Sequence, residues 1–344
     1  TECHCFAAQH GSYTKSGNLM VFSFDMIKTA AGRLDEVVAT TSLLESQRVN
    51  EMMQARVILK PECLQKTGSF KLRGAYNKIA SLTDAERAAG VVAFSSGNHA
   101  QGVAAAAKAL GVRATVIMPI DAPLIKQRNT REYGAEVILY DRYTESREEL
   151  ARMTMEESGA ILVPPYDDHE IMAGQGTVGL EFAHQLDEME VVADYLICPA
   201  GGGGLIAGIS TAFSKLSPVT KIFSAEPKNF DDTKRSLECG ERVENEPGPT
   251  SICDSIVTQM PGILTFVVNK SLLSGGYAVT ELEVKRAMLL LFEEFKIVTE
   301  PGGAVAFAAA LYNRMEFAGK SIAIVISGGN IDCNRFCEII CEKE

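Results

Sequence analysis

Short runs of β-branched and other apolar residues alternate with helix-length segments through much of this chain. Four such runs, residues 91–94, 114–118, 136–140 and 161–163, are each separated by a connection long enough for a helix. A strand that is followed by a helix and a second strand forms a right-handed crossover, which produces a parallel sheet. A second series, residues 195–199, 221–225 and 322–326, repeats the pattern. The sequence therefore predicts an α/β protein with two parallel-sheet domains.

The domain boundaries follow from the same pattern. The first series forms a compact block, which we predict to be a small α/β domain of residues 86–167. It would be inserted by short hinges into a large domain of residues 20–85 and 168–344, so that it can close over a substrate and exclude water. Residues 1–19 show little periodicity and are predicted to form a disordered N-terminal extension.

The segment Ser69-Phe70-Lys71 contains the first candidate for chemistry. Lys71 lies between an aromatic residue and a leucine at the start of a helix-like run. Burial among apolar side chains lowers the pKa of an amine and makes it a better nucleophile toward a carbonyl. A lysine at a helix end that simply reaches solvent is the alternative for these three residues alone.

Three other loops favour the interpretation of Lys71 as a nucleophile. Each of them follows a strand-like run and contains small residues that leave the backbone exposed. Ser95-Ser96-Gly97-Asn98-His99 precedes a helical stretch, and its N–H groups would suit a substrate carboxylate. Gly201-Gly202-Gly203-Gly204 precedes a helix that starts near Leu205 and would wrap closely around a phosphate. Ser327-Gly328-Gly329-Asn330 ends the last strand-like run.

Together and in this order, the four segments resemble fold-type II pyridoxal-phosphate enzymes, in particular the serine/threonine dehydratase and serine racemase branch. The resemblance covers about residues 40–332 and implies a tryptophan synthase beta-like fold with the active site between the domains. It also implies pyridoxal 5'-phosphate as cofactor, with these contacts: Phe70 beside the ring, Lys71 as the Schiff-base lysine, Asn98 at the ring hydroxyl, Gly201, Gly202, Gly203, Gly204 and Leu205 around the phosphate, and Ser327 at the pyridine nitrogen.

Ser327 also indicates the type of reaction. A serine hydroxyl cannot supply the charge of an aspartate, so the pyridine nitrogen stays largely unprotonated and a long-lived carbanion is poorly stabilised. Elimination of a β-substituent discharges the electrons quickly and is therefore favoured over transamination. The resemblance implies a dehydratase, an ammonia-lyase, that converts a small 3-hydroxy amino acid, L-threonine or L-serine, to a 2-oxo acid and ammonia.

Serine racemase and 3-hydroxyaspartate dehydratase activities stay open as alternatives. Ser96 matches the serine that exchanges the second proton in the racemase, so Lys71 and Ser96 are the candidate catalytic residues. The candidate substrate-binding residues are Ser95, Ser96, Gly97, His99 and Arg147. Asp254-Ser255 stands where the racemase and common dehydratases have Asp-Gly, which leaves the shape of the pocket floor open.

The segment from Glu226 to Asp232 contains two carboxylates around a turn, an arrangement of oxygen atoms that suits a hard cation. Serine racemase and its relatives carry a divalent-metal site in the matching segment. The resemblance therefore implies Glu226, the Phe230 carbonyl and Asp232 as ligands of Mg, Mn or Ca. A solvated acidic loop is the alternative.

Two further interpretations compete with a dehydratase. Gly202-x-Gly204-x-x-Ala207 after a strand, with Glu226 at the end of the next, fits a dinucleotide fingerprint and would indicate an oxidoreductase. That interpretation leaves Lys71 and the other two loops without a role. A catalytically silent cofactor carrier is the alternative that is not an enzyme.

Composition limits the partners and the location. The net charge of −11 argues against nucleic acid as a partner. No apolar stretch approaches a membrane span, and the N-terminus lacks the pattern of a signal peptide. The nine cysteines are scattered and odd in number, which fits reduced thiols, so we predict a cytoplasmic protein. We also predict a homodimer or higher homo-oligomer. Cys333, Cys337 and Cys341 recur every four residues and are predicted to be buried on one helix face rather than to bind a soft metal.

Overall fold

A computed structural model describes residues 21–342, so the predicted extension at residues 1–19 lies outside the described residues. No helix in this range is both long enough and apolar enough to cross a lipid bilayer. The elements in chain order are α1 (Phe24–Leu34), α2 (Gln47–Met53), β1 (Arg56–Pro61), α3 (Lys71–Ala80), α4 (Asp84–Ala89), β2 (Val91–Phe94), α5 (Asn98–Leu110), β3 (Ala114–Pro119), α6 (Leu124–Glu132), β4 (Glu136–Tyr140), α7 (Arg147–Ser158), β5 (Ile161–Leu162), α8 (His169–Glu188), β6 (Tyr195–Pro199), α9 (Gly204–Leu216), β7 (Lys221–Pro227), α10 (Asp232–Cys239), α11 (Ile263–Leu272), β8 (Gly275–Val279), α12 (Glu281–Phe295), α13 (Pro301–Tyr312), α14 (Arg314–Phe317), β9 (Ser321–Ile326) and α15 (Cys333–Cys341).

Two parallel sheets confirm the predicted fold class. The larger sheet has the strand order β1-β9-β6-β7-β8, and the smaller has the order β4-β3-β2-β5. Every neighbouring pair of strands in both sheets is parallel. The seven runs predicted from the sequence are all strands, with ends that differ by at most two residues.

The sequence pattern missed β1 and β8, and each omission has a physical reason. β1 contains Lys60, a residue typical of surfaces, but its ammonium group is buried and donates to the carbonyl of Thr41 (2.8 Å). β8 begins with Gly275 and Gly276, which weaken a strand pattern. A Cβ on Gly276 would collide with Ser224 of the neighbouring strand, so the sheet itself excludes a side chain there.

The predicted domain boundaries remain a prediction, but one hydrophobic core crosses the proposed border near residue 86. Leu72, Ala75 and Ile79 of α3 pack in the same core as the strands of the smaller sheet. The helix that begins at Lys71 therefore shares the core of the smaller sheet, although its residues fall in the proposed large domain.

Helix α8 sets the spacing of the two helices that begin at the predicted site. A Cβ on Gly208 of α9 would lie 2.5 Å from the Gly176 nitrogen and the Met172 oxygen of α8. A Cβ on Gly174 of α8 would lie 2.5 Å from the Arg73 oxygen of α3. Because backbone meets backbone at both contacts, α3 and α9 are held at fixed positions on opposite sides of α8.

A buried ion-pair network fixes the start of α3. The Arg73 guanidinium donates to both oxygens of Glu62 at 2.8 Å and to Glu181 at 3.0 Å. Burial opposes the charge of Arg73, but the two carboxylates outweigh it and raise its pKa. Such a pair stabilises the fold only while both partners are present, because removing one leaves an unpaired buried charge.

The three cysteines of α15 correct one prediction from the sequence. Cys333, Cys337 and Cys341 are exposed, and the buried residues of this helix are Phe336 and Ile339. The prediction of a buried cysteine face is wrong, because the larger apolar side chains bury more surface than a thiol and decide which side of the helix faces the core.

We predict that Gly208→Ala lowers the free energy of unfolding by about 1–3 kcal/mol, because the added methyl group must displace backbone rather than a flexible side chain. Gly32→Ala in α1 is the matched control, since no heavy atom lies within 4 Å of its Cβ position. It should raise the free energy of unfolding by about 0.5–1 kcal/mol through helix propensity alone. Denaturant unfolding of both variants is the measurement, and a stable Gly208→Ala protein would contradict the close contact of α8 and α9.

Candidate active site

The turn after β9 holds the lysine segment in place. The Phe70 N–H donates to the Ser327 carbonyl (3.2 Å), and the Asn330 amide donates to the Thr67 carbonyl (2.8 Å). Lys71 follows directly as the first residue of α3. Residues that are far apart in the sequence, 70 and 327, are therefore neighbours, as the resemblance implied.

The amine of Lys71 lies in an environment that favours its neutral form. Its Nζ donates to the Pro165 carbonyl (2.7 Å) and lies 5.2 Å from the centroid of the Phe70 ring. Burial lowers the pKa of Lys71 to about 8, and the nearby carboxylate of Glu300 opposes this shift. Since only a neutral amine attacks a carbonyl, Lys71 is a better nucleophile near neutral pH than an exposed lysine.

The loop between β2 and α5 reaches the same place from the smaller sheet. The Asn98 side chain donates to Glu300 and accepts a hydrogen bond from Asn330 (2.9 Å). The Ser95 hydroxyl accepts the Gly97 N–H (3.1 Å), which shapes the loop just before α5. Asn98 therefore connects the smaller sheet to the turn that holds the lysine segment.

His99 is a neutral residue that supports this loop. Its Nε2 lies 2.8 Å from the Val163 carbonyl, a partner that requires a proton on Nε2. Burial and then the charge of Lys71 lower the pKa of His99 to about 3. Its Nδ1 is buried without a hydrogen-bond partner among the described residues. His99 is thus suited to hold the loop rather than to transfer protons.

Ser96 follows β2, and Arg147 begins α7 with its guanidinium beside Phe94 at the end of β2; both side chains are less constrained. The Ser96 hydroxyl forms no hydrogen bond within residues 21–342. The Arg147 guanidinium lies 5.3 Å from the centroid of the Phe94 ring, and its Nε donates to Glu148 (2.8 Å). Its two Nη groups have no partner in the described part of the chain.

The glycine loop between β6 and α9 turns its carbonyl groups toward α11. The Gly202 carbonyl accepts the Thr265 hydroxyl (2.6 Å), and the Gly203 carbonyl accepts the Asn269 amide (3.3 Å). The N–H groups of Gly201, Gly202 and Gly203 donate to no acceptor in residues 21–342. Uncommitted N–H groups at the start of a helix form an anion-binding site.

Only glycine fits at two positions of this loop. Gly203 has a φ of 92°, in the left-handed region, and a Cβ there would lie 2.7 Å from the Asn269 amide. A Cβ on Gly202 would enter the ring of Tyr166. Side chains of α11 and of the segment after β5 therefore pack directly against the backbone of this loop.

Sequence reasoning missed Glu300 and Lys126, which form a buried ion pair (2.9 Å) between α13 and α6. Asp254 lies 3.3 Å from the same ammonium group. Burial raises the pKa of Glu300 although Lys126 opposes the shift. Glu300 precedes Pro301-Gly302-Gly303, a helix-start signal that could have revealed it. Lys126 carries no sequence signal, because only the packing of α6 buries it.

Two buried carboxylates lie at the end of β7, where a metal was predicted. Glu226 accepts the N–H groups of Thr233 and Lys234, both at 2.8 Å. One oxygen of Asp232 accepts the Asn245 amide (2.7 Å), and the other is buried without a partner among the described residues. Burial raises the pKa of Asp232 to about 7 and that of Glu226 well above its usual range.

Phe230 lies in the turn between these carboxylates, and its N–H donates to the Pro227 carbonyl (2.9 Å). Within residues 21–342 no group of three or more histidine, cysteine or carboxylate side chains could hold a metal. A cation at Glu226 and Asp232 would therefore depend on backbone oxygens as well.

The lysine and the glycine loop share one neighbouring segment of the chain. The segment that follows β5 contacts both of them, through the Pro165 carbonyl at Lys71 and the Tyr166 ring at Gly202. An amine of lowered pKa can attack an aldehyde, and a loop of uncommitted N–H groups can bind a phosphate. These residues fit pyridoxal 5'-phosphate.

Comparison with known proteins agrees with this fit. Residues 34–328 match the family described as pyridoxal-phosphate dependent enzyme. The chain is 45% identical over 322 residues to an L-threonine ammonia-lyase of Thermotoga maritima, covering 93% of this chain and 78% of that protein. It is 40% identical over 326 residues to an L-threo-3-hydroxyaspartate ammonia-lyase of Saccharomyces cerevisiae, covering 95% and 98%.

A solved structure of maize serine racemase is also similar, with a TM-score of 0.87 and 35% identity over 93% of this chain and 97% of that one. The shared fold and the identity across nearly the whole chain have one explanation. The chain belongs to the pyridoxal-phosphate dependent enzymes, in the fold-type II serine/threonine dehydratase group.

Proposed function

We propose that this protein is an ammonia-lyase that removes water from a small 3-hydroxy amino acid, L-threonine or L-serine, and yields a 2-oxo acid and ammonia. The observation that carries the proposal is that one segment, Pro165-Tyr166, contacts both the Lys71 amine and the glycine loop, whose first three N–H groups are uncommitted within residues 21–342. The similarity to an L-threonine ammonia-lyase supports it. When bound, pyridoxal 5'-phosphate supplies the electron sink for the pair left at Cα.

Lys71 has two roles in this proposal. Its amine would hold the cofactor covalently and, when free, would remove the proton from Cα of the substrate. The Pro165 carbonyl orients the amine, and burial lowers its pKa to about 8, which enlarges the neutral fraction that can accept that proton. Positioned proton transfer of this kind contributes roughly 10²–10⁴-fold to the rate.

The remaining cofactor contacts belong to the same proposal. The residues from Gly201 to Leu205 would bind the phosphate, Phe70 would pack beside the ring, and Ser327 would face the ring nitrogen. Asn98 would reach the ring hydroxyl from its position between Glu300 and Asn330. A serine opposite the nitrogen supports elimination, because it adds no charge that would prolong a carbanion.

The substrate carboxylate would bind at the start of α5. Ser95, Ser96 and Gly97 lie where the loop meets the first turn of this helix, and N–H groups at a helix start favour an anion. His99 would hold this loop through its bond to the Val163 carbonyl. The side chain of the substrate would then extend toward Arg147.

A second candidate substrate is L-threo-3-hydroxyaspartate, and Arg147 is the observation that favours it. Both of its Nη groups lack a partner in the described residues, and the Phe94 ring holds the guanidinium near the loop. A second carboxylate could bind this fork with two hydrogen bonds. Release of 2-oxo acid from serine, threonine and the hydroxyaspartate diastereomers, compared as kcat/KM, decides between the substrates.

We also propose a divalent cation, Mg, Mn or Ca, at Glu226, the Phe230 carbonyl and Asp232. Two carboxylates buried side by side repel each other, and neither forms an ion pair with another described residue. A cation would offset both charges and use the unpartnered oxygen of Asp232.

A cytoplasmic location and a homodimer or higher homo-oligomer complete the proposal. The seven cysteines in the described residues are free thiols, which supports a reducing compartment. Sedimentation of the purified protein measures the oligomeric state.

Lys71→Ala should abolish the borohydride-reducible cofactor adduct and nearly all release of 2-oxo acid, because one amine is both the anchor and the base. Lys66→Ala is the matched control, since Lys66 lies in the same segment but donates to the exposed Glu36 carbonyl (3.2 Å). Peptide mapping after reduction is the measurement. An adduct on Lys66 or Lys78 would overturn the assignment of the lysine.

Chelation should lower the melting temperature and the activity together, because a ligand that binds only the folded state stabilises it by mass action. Asp232→Asn should remove this response, whereas Asp231→Asn should keep it, since Asp231 pairs with Arg235 (3.2 Å) at the surface side of the turn. If the melting temperature is unchanged in chelator and elemental analysis finds no metal, the proposed cation site is wrong and the segment is a metal-free acidic turn.

Ser96→Ala should leave dehydration of the L-amino acid measurable and remove any formation of the D-isomer. Elimination needs a base on one face of the cofactor only, whereas inversion at Cα needs a proton donor on the other face, and Ser96 has an uncommitted hydroxyl. Chiral analysis after incubation with L-serine is the measurement. Substantial D-serine from the variant would show that another group acts on the second face.

A further inference from the structure

The start of α11 is capped by a residue from a distant part of the chain. Asp167 accepts the N–H groups of Ile263 (2.9 Å), Leu264 (2.8 Å) and Thr265 (3.2 Å). The N-cap position itself is Gly262, which has no side chain to serve as a cap. A Cβ on Gly262 would collide with the Asp167 carboxylate, so the glycine leaves room for a cap from outside the helix. Asp167 therefore determines where α11 begins.

Helix α11 in turn holds the glycine loop by its carbonyl groups. Thr265 and Asn269 are one turn apart on the same face, both are fully buried, and they donate to the carbonyls of Gly202 and Gly203. In a trans peptide the carbonyl and the next N–H point in opposite directions. Fastening these two carbonyls to α11 therefore turns the N–H groups of Gly203 and Gly204 to the other side of the loop, where the phosphate is proposed to bind.

The residues before Asp167 touch the same site directly. The Pro165 carbonyl accepts the Lys71 amine, and the Tyr166 ring fills the space beside Gly202. The segment Pro165-Tyr166-Asp167 therefore contacts the covalent anchor, the glycine loop and the helix behind that loop. Sequence patterns gave no indication of this segment, because its partners lie between 36 and 98 residues away in the chain.

We propose that Asp167 is a positioning residue for the phosphate loop: through the cap of α11 and the side chains of Thr265 and Asn269, it aims the loop N–H groups at the cofactor phosphate. This inference rests on the proposed function. It differs from an ordinary capping role, which would stabilise α11 without changing how strongly the loop binds an anion.

The test compares the affinity for pyridoxal 5'-phosphate with the affinity for pyridoxal, which lacks the phosphate. Asp167→Ala should lower the ratio of the two affinities about tenfold, the factor that corresponds to losing one hydrogen bond to a charged group. Asp167→Asn should keep most of the ratio, because an amide oxygen is also a good helix cap. The ³¹P shift of the bound cofactor should move in the alanine variant and not in the asparagine variant.

Two further variants separate positioning from stability. Thr280→Ala removes the capping box at the start of α12, a helix outside the chain of contacts that runs from Asp167 through α11 to the loop, and should leave the ratio unchanged. Thr265→Val should lower the ratio as Asp167→Ala does, and it keeps the test available if the alanine variant fails to fold. The double variant Asp167→Ala/Thr265→Val should lose less than the product of the single losses, because both act on one chain of contacts.

A normal ratio and an unmoved ³¹P shift in Asp167→Ala would overturn the inference while leaving the proposed function intact. If the double variant loses affinity ratio by the full product of the two single losses, the inference is also overturned, since Thr265 would then act independently of Asp167. Failure of the proposed function has a different signature, because the wild-type protein would then form no reducible adduct at Lys71 and would not prefer the phosphorylated compound.

Discussion

The parallel pairing of β1 with β9 is the constraint on which the site depends. The two strands pair in register from Arg56 with Ser321 to Pro61 with Ile326, so both end at the same level. The chain that leaves β1 forms the lysine segment, and the chain that leaves β9 forms the turn that holds it. Because β6 and β7 are parallel to these strands, the glycine loop and the two buried carboxylates lie along the same edge.

The loops at the carboxyl edge of the smaller sheet also contribute to the site. The loop after β2 brings Asn98 to Glu300, and the segment after β5 brings Pro165 to Lys71. Both connections are hydrogen bonds, whereas α3 packs in the apolar core of the smaller sheet. Polar contacts at the site and apolar packing together therefore link the two parts of the fold.

Burial raises the pKa of three carboxylates, Glu300, Glu226 and Asp232, but only Glu300 has a neighbouring ammonium group that offsets its charge. Glu300 is buried against the Lys126 ammonium group, so its charge is partly offset within the protein. Glu226 and Asp232 are also buried, but each carries a raised pKa without an ion pair to another described residue. A cation bound at the second pair would supply what Lys126 supplies to Glu300.

The sequence by itself determined the local features. The alternation of apolar runs identified seven of the nine strands in residues 21–342, and the four motifs identified the enzyme family, because each depends on residues close together in the chain. It left the glycine loop ambiguous between a phosphate and a dinucleotide, since the same N–H groups serve both. Only the tertiary structure placed Glu300, Lys126 and Asp167, and only it exposed Cys333, Cys337 and Cys341. Burial and ion pairing are properties of packing between distant segments, and no local pattern of residue types records them.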